Sequence, residues 1–323
     1  MGYGWRPIIN MPQLKVAFFT EAGSTRGMGH LMRCYALYDY FKKQSHIVDF
    51  FLDSDINYDY KLQKIHYFTW ENFFLDEKYD IIFIDSYLAP RIIYEIMADN
   101  AKIPIFIDDY ARIDYPRGVI LNFSPNAEDF FPNKNPIHTY LLGLKFLPLR
   151  PELNIVQPKK REQIFISLGG SDIKNYSYEI VKALQHMNIP LIVTINDYDI
   201  ANQIALYENT HILFKPSDEE FVMSMKESTI AITTASMTVY ELAFMQIPTI
   251  IIAVSEDQLI GSKQLIEHSL AFKLLNMDDI EWSKTLEYYL LGLFNTPFFP
   301  SKHLVDGKGV ERIYETIKDL AYS

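Results

Sequence analysis

The chain has 323 residues, a formal charge of -11 and a single cysteine. The length exceeds one ordinary core and suits two domains of roughly 150 residues, while the negative charge argues against nucleic acid or an acidic membrane surface as a partner. Cys34 alone makes neither an internal disulfide nor a structural zinc site, which points to the reducing cytoplasm.

In chain order, Met1 to Gln13 lacks the apolar core of an export signal and reads as a loose leader. A strand at Lys15 to Thr20 is followed by Gly27-Met28-Gly29-His30 and then by a helix from Leu31 to Lys43 with Leu31, Tyr35, Tyr38 and Phe41 along one face. Glycines let backbone approach a ligand closely, and a helix start favours phosphate or developing negative charge. The turn resembles a dinucleotide fingerprint, but Met32 occupies the position of the third glycine. His30 is therefore the candidate catalytic group, the other reading being a packing residue at a helix start. Arg33, one turn on, and the helix terminus are expected to disfavour an imidazolium there.

Strands at Ile47 to Leu52, Ile81 to Asp85 and Ile103 to Asp108 each end on or beside a carboxylate, namely Asp53, Asp85 and Asp108. Ligands of parallel α/β sheets sit beyond the carboxyl ends of the strands, so these acids are expected to face one crevice. Asp53-Ser54-Asp55 also resembles a metal-binding pair, although such pairs are common in loops. Between Pro148 and Glu162 the pattern breaks into a proline-containing charged stretch that reads as a linker.

A second alternation follows: strand Ile164 to Leu168, helix Tyr176 to Leu184, and strands Leu191 to Ile195 and Ile230 to Thr233. A helix from Val239 to Met245 and a strand from Thr249 to Val254 complete it. The stretch Ile230 to Val254 carries Tyr240, Glu241 and Gln246, so it is strand, helix and strand rather than a bilayer span. Gly169-Gly170-Ser171-Asp172 repeats the strand-to-helix turn and is either a plain tight turn or a source of N–H groups for a diphosphate, with Lys174 either adding charge or simply solvated. Ala235 and Ser236 precede a helix whose Glu241 is either stabilised there by the helix dipole alone or accepts both hydroxyls of a ribose, and Asp257-Gln258 lies in a loop able to close over pyrophosphate or sugar. The segment Asp278 to Phe294, with Trp282, Tyr288, Tyr289 and Leu291, reads as a helix packed by its aromatic stripe. The expected fold is α/β, two Rossmann-like doubly wound domains facing across a cleft, at residues 1–150 and 151–323.

The order and spacing of several short motifs resemble one family. They are Gly27-Met28-Gly29-His30-Leu31-Met32-Arg33-Cys34, Ile84-Asp85-Ser86-Tyr87, Ile107-Asp108-Asp109, Leu121-Asn122 and Leu149-Arg150-Pro151-Glu152. Ser167-Leu168-Gly169-Gly170-Ser171-Asp172, Ala235-Ser236, Glu241, Asp257-Gln258 and Asp306-Gly307-Lys308-Gly309 continue the series. Together they are similar to the UDP-sugar hydrolases of bacterial pseudaminic acid synthesis, relatives of the GT-B nucleotide-sugar glycosyltransferases. The resemblance implies cleavage of a UDP-linked 2,4-diacetamido-2,4,6-trideoxy-altrose to UDP and free sugar, with no metal or other cofactor and a monomer the favoured state. It makes His30 the catalytic histidine, with Arg33 and Asp85 beside it; Asp85 or Asp108 would orient the ring or contact the sugar. Gly27, Gly29, Tyr87, Asp108, Gly169, Gly170, Ser171, Ala235, Ser236, Glu241, Asp257 and Gln258 would line the substrate. Phe19-Thr20-Glu21 stands where the family usually has Arg-x-Asp, and Met237 where a serine is common. A glycosyltransferase, in which His30 would deprotonate an acceptor hydroxyl, and a silent nucleotide-sugar sensor are the rival readings.

Overall fold

The computed structural model describes residues 12–322 apart from 25, 59–61, 63, 155–160, 170–171, 173 and 254–255. Most of the leader, the middle of the linker, Gly170 and Ser171 therefore lie outside the described residues. The first half contains β1 (Lys15–Ala22), α1 (Gly29–Lys43), β2 (Ile47–Ser54), β3 (His66–Phe68), β4 (Tyr79–Asp85), α2 (Arg91–Asn100), β5 (Ala101–Ile107), β6 (Gly118–Asn122) and β7 (His138–Leu142). The second contains β8 (Ile164–Ser167), α3 (Tyr176–Leu184), β9 (Leu191–Ile195), α4 (Tyr198–Ile204), β10 (Thr210–Phe214), α5 (Asp218–Glu227) and β11 (Ile230–Thr234). It continues with α6 (Met237–Phe244), β12 (Thr249–Ile252), α7 (Glu256–Glu267), β13 (Lys273–Leu275), α8 (Trp282–Asn295) and α9 (Gly309–Tyr322).

The strands form two parallel sheets, of seven strands in the order β3-β2-β1-β4-β5-β6-β7 and six in the order β10-β9-β8-β11-β12-β13. Strands buried on both faces read as continuous apolar runs, and β1 does so. Val16 and Phe18 face the α1 side, where Phe18 stacks on Phe83 at 4.5 Å, while Ala17 and Phe19 enter a separate core with Ile82, Ile84 and Tyr94. The chain leaves β1 toward β2 and returns to β4 on its other side. In the second sheet it leaves β8 toward β9 and returns to β11. Each sheet thus has a switch point, between β1 and β4 and between β8 and β11, where loops diverge and a crevice opens.

The last helix does not stay with the second sheet. α9 inserts Ile313, Tyr314 and Ile317 into the core that also holds Phe41 and Phe18, and the Tyr314 ring meets Phe41 edge-on at 5.1 Å. Its first residue must be glycine, because a Cβ on Gly309 would lie 2.0 Å from the Leu147 carbonyl oxygen. The core on this side runs on through Leu149 to Phe165, Val222 and Leu242, so the two sheets share apolar packing. α8 buries Leu286, Leu290 and Leu293, whereas Tyr288 and Leu291 of the expected packing stripe are exposed. Trp282 and Tyr289 of that stripe do pack against the same core as the leucines, so the stripe is divided between core and surface. Among the described residues no helix is long and apolar enough to cross a membrane.

Candidate active site

His30 begins α1, just after the β1 switch point. The turn before it is held by reciprocal backbone bonds between Gly23 and Gly27, and Gly27 has φ +73°, a left-handed conformation that side chains disfavour. Asp53 and Asp55 brace this turn. Asp53 accepts from Arg26 at 3.0 Å and from the Trp70 N–H at 3.0 Å, and Asp55 accepts the Ser24 N–H at 3.0 Å.

Asp85, at the end of β4, is fully buried against α1. Its Oδ1 lies 2.6 Å from His30 Nδ1 and 2.6 Å from Arg33 Nη2, and its Oδ2 accepts from Arg33 Nε. Burial by itself would raise this carboxyl, but the Arg33 guanidinium and His30 outweigh burial and hold it well below the usual carboxylate range. An ionised carboxylate only accepts, so in the neutral ring the proton sits on Nδ1 and the lone pair on Nε2. Arg33 Nη2, 3.1 Å from the same Nδ1, is then a charge contact rather than a hydrogen bond. The expectation of Arg33 as the charge governing His30 thus needs amendment, since Asp85 meets both groups. Nε2 has no partner among the described residues, and about 10% of the His30 side chain is open.

Arg33 is shared with a second carboxylate, Asp109, at 2.9 and 3.1 Å from Nη1, and its guanidinium lies 5.2 Å from the Phe123 ring centre. Asp109 also accepts from the Tyr87 hydroxyl, and the Tyr87 ring meets His30 edge-on at 4.5 Å. Glu21 holds the Tyr87 segment from below, accepting from the Tyr87 N–H at 2.9 Å, Trp70 Nε1 at 2.9 Å and the Ser86 hydroxyl. Cys34 lies 3.7 Å from Asp85 Oδ2, and burial pushes its thiol well up, away from nucleophilic use.

Asp108 plays no part in this cluster. Its oxygens accept the N–H groups of Tyr110 at 3.2 Å and Arg112 at 3.0 Å, and burial raises its carboxyl. The strand-end acids therefore do not face one crevice, because side chains alternate along a strand. The sheet register sets Thr20 beside Asp85 and Ile84 beside Phe106, so Asp85 shares a face with Ile107 and Asp108 points to the other. Asp109 and Glu21 stand in the sequence only within short motifs, with nothing there to mark them as partners of the His30 cluster. Parity along β1, β4 and β5 is the signal that separates the acids facing α1 from those facing away.

In the second half, Gly169 follows β8 with φ +90°, beside Thr234 at the end of β11. The start of α3 is closed locally, because Asp172 accepts the N–H groups of Tyr176 at 2.9 Å and Ser177 at 2.7 Å. Lys174 is exposed and lies 5.4 Å from the Tyr176 ring centre. The start of α6 is different. Ala235, Ser236, Met237 and Thr238 are half-buried, no side chain caps the helix, and the Met237 and Thr238 N–H groups have no partner among the described residues. Such a terminus favours an anion. It lies against the first-half cluster, since the Tyr240 phenol, raised first by burial, is raised further by Asp109 and opposed by Arg33.

Glu241, on the next turn of α6, is 1% exposed. Arg150 Nε donates to its Oε1 at 2.5 Å, while Oε2 is buried with no partner among the described residues. Burial outweighs Arg150 and raises this carboxyl. Asp257 and Gln258 lie in the first turn of α7 rather than in a loop, and their side chains fall outside the described residues. His268, just past α7, places Nε2 2.6 Å from Asn126 Oδ1 after β6, a further contact between the halves.

The architecture has close counterparts among solved structures. MurG of Acinetobacter baumannii superposes with TM-score 0.62 over 94% of this chain and 99% of that one at 15% identity. The glycosyltransferase of kitacinnamycin superposes with TM-score 0.67 over 95% and 99% at 12% identity. The fold is GT-B. No protein-family model matches the chain. It is 28% identical over 257 residues to a Helicobacter pylori protein named pseudaminic acid cytidylyltransferase and UDP-2,4-diacetamido-2,4,6-trideoxy-beta-L-altropyranose hydrolase. That match covers 78% of this chain but 47% of the Helicobacter protein, so the chain spans about half of that relative's length. The corresponding hydrolase of Campylobacter jejuni is 24% identical over 242 residues, 71% of this chain and 87% of that one. The spore coat polysaccharide biosynthesis protein SpsG of Bacillus subtilis is 23% identical over 344 residues, 95% and 98% of the two chains. The chain is a distant homologue of these proteins.

Proposed function

We propose that this chain is a cytoplasmic hydrolase that cleaves a UDP-linked diacetamido-trideoxy sugar to UDP and free sugar, within the synthesis of a pseudaminic-type acid. The observation that carries the reading is the His30–Asp85 pair, with Nε2 unpartnered among the described residues, together with an uncapped α6 whose Tyr240 feels Asp109 and Arg33 of the same cluster. The distant homology to two proteins named as hydrolases of such a sugar adds the substrate class.

The lobes are residues 1–150 and 151–323, with α9 returning to the first. UDP lies on the second lobe, its diphosphate on Gly169, Gly170, Ser171 and the α6 N–H groups after Ala235 and Ser236. Its ribose meets Glu241, and Asp257-Gln258 closes from the start of α7. The sugar lies toward Gly27, Gly29 and Tyr87. His30 Nε2 takes a proton from water as the water oxygen bonds to the anomeric carbon. The bond from that carbon to the diphosphate oxygen breaks, and its electron pair leaves with UDP, where oriented N–H groups receive the charge. Asp85 keeps the ring in the required tautomer and stabilises the imidazolium that forms, the role an acid plays behind a catalytic histidine. Asp108 serves its own loop in this scheme.

The test is incubation of the purified protein with a panel of UDP-sugars and no acceptor. Release of UDP with free sugar supports the reading. Release only when an acceptor is added points to the glycosyltransferase alternative, and binding without turnover to a sensor.

A further inference from the structure

Arg150 is 8% exposed and ends the first half of the chain, directly before Pro151. Its guanidinium nevertheless reaches into the second half. Nε donates to Glu241 Oε1 at 2.5 Å, Nη1 donates to Asp218 Oδ1 at 3.2 Å at the start of α5, and the plane lies 5.1 Å from the Phe221 ring centre. The fork thus fixes Glu241 by one oxygen only. The other oxygen is buried and receives no donor among the described residues. A buried, ionised oxygen without a donor is an unstable arrangement, and two vicinal hydroxyls are the donors a carboxylate in this position accepts best.

We propose that Arg150 is the positioning residue of the nucleotide site: it binds one oxygen of Glu241 so that the other is turned to the ribose hydroxyls, and it keeps the carboxylate charged for that contact. This rests on the reading of Glu241 as the ribose acceptor. The groups surrounding the carboxylate are Arg150 itself, Asp218 of α5 and Glu152 after Pro151, with Tyr35 of α1 near the same two acids. Among the described residues Arg150 is the cation that these interactions include. Burial already favours the protonated form of Glu241, and Arg150 is what opposes it. A protonated acid accepts a hydroxyl less strongly, so ribose recognition depends on Arg150 even though Arg150 does not touch the nucleotide. Its position next to the connection between the halves makes the ribose contact sensitive to how that connection is seated.

The experiment measures the ratio of affinities for UDP and 2′,3′-dideoxy-UDP by calorimetry in wild type, Glu241→Gln, Arg150→Lys and Arg150→Met. Wild type is expected to favour UDP by about 10- to 100-fold, the value of charge-assisted hydrogen bonds, and Glu241→Gln to bring the ratio close to one. Arg150→Met is expected to lower the ratio toward that of Glu241→Gln and to recover part of it as pH is raised and the unpaired carboxylate ionises. A purely structural role would leave the ratio and its pH dependence unchanged. Arg150→Lys keeps a charge in the core and tests the fork alone, with at least about a threefold drop expected because one ammonium cannot hold both acids as the guanidinium does; it decides the matter if Arg150→Met does not fold. A wild-type ratio near one overturns the ribose reading and this proposal with it. A ratio that Glu241→Gln removes but both Arg150 variants retain overturns this proposal alone.

Discussion

Among the described residues, the charged groups around His30 are paired with one another, whereas in the second half the α6 start and one oxygen of Glu241 are left without partners. His30, Asp85, Arg33, Asp109 and Tyr87 form one connected network, anchored from below by Glu21. The α6 start and Glu241 Oε2 lack donors or acceptors among the described residues. The contrast matches what each half has to do. A catalytic group must be held in one geometry and tautomer before substrate arrives, because reorganisation at the moment of reaction adds to the barrier. A binding surface gains by leaving its groups to be satisfied by the ligand itself.

The largest expected effects come from breaking the connected half. His30→Asn should reduce kcat by about 10² to 10⁴-fold, with the fold and UDP affinity kept; steady-state kinetics and calorimetry on the same preparation check both. Asp85→Asn should cost a similar factor by disturbing the tautomer, and it should also destabilise the protein by about 3 to 5 kcal/mol because Arg33 loses its main buried partner. Denaturant unfolding reads the second effect. If the two variants were equally stable, Asp85 would not be the centre of the network.

A smaller effect is expected from the open half. Glu241→Ala should weaken UDP by about 1.5 to 3 kcal/mol, measured by calorimetry. It should leave the rate at saturating substrate much less affected than His30→Asn does.

The halves should also differ in how stability responds to pH. The Asp85 carboxyl is held below its unfolded value, so its contribution is present above about pH 4 and lost as pH falls toward the folded value. The Glu241 carboxyl is held above its unfolded value, so its contribution is present below about pH 4 and lost as pH rises through the folded value. Between neutral pH and about pH 3, the destabilisation caused by Asp85→Asn should therefore shrink, while that caused by Glu241→Gln should grow. Urea midpoints at several pH values would show slopes of opposite sign, and slopes of one sign would contradict the contrast.

Much of this architecture was legible in the sequence because parallel strands buried on both faces announce themselves as apolar runs. The two glycine turns also stand where each sheet changes direction. His30 and Asp85 were legible as candidates, but the choice between Asp85 and Asp108 needed the register of β4 and β5, which a single strand does not reveal. Asp109 lies in a loop, and its role depends on an Arg33 reaching 76 positions along the chain. The return of α9 to the first sheet was hidden for the same reason. No helix after Phe294 is assigned from the sequence, and which surface α9 covers is decided by the close approach of Gly309 to Leu147.

The central claim is that His30 activates water for attack at the anomeric carbon, and the most direct measurement is acceptor-free turnover of the UDP-linked diacetamido-trideoxy sugar in ¹⁸O-labelled water. Water attack at carbon gives UDP release with the label in the free sugar and none in the β-phosphate, and that release is lost in His30→Asn. Label in the β-phosphate of UDP, or undiminished release by the variant, would contradict it.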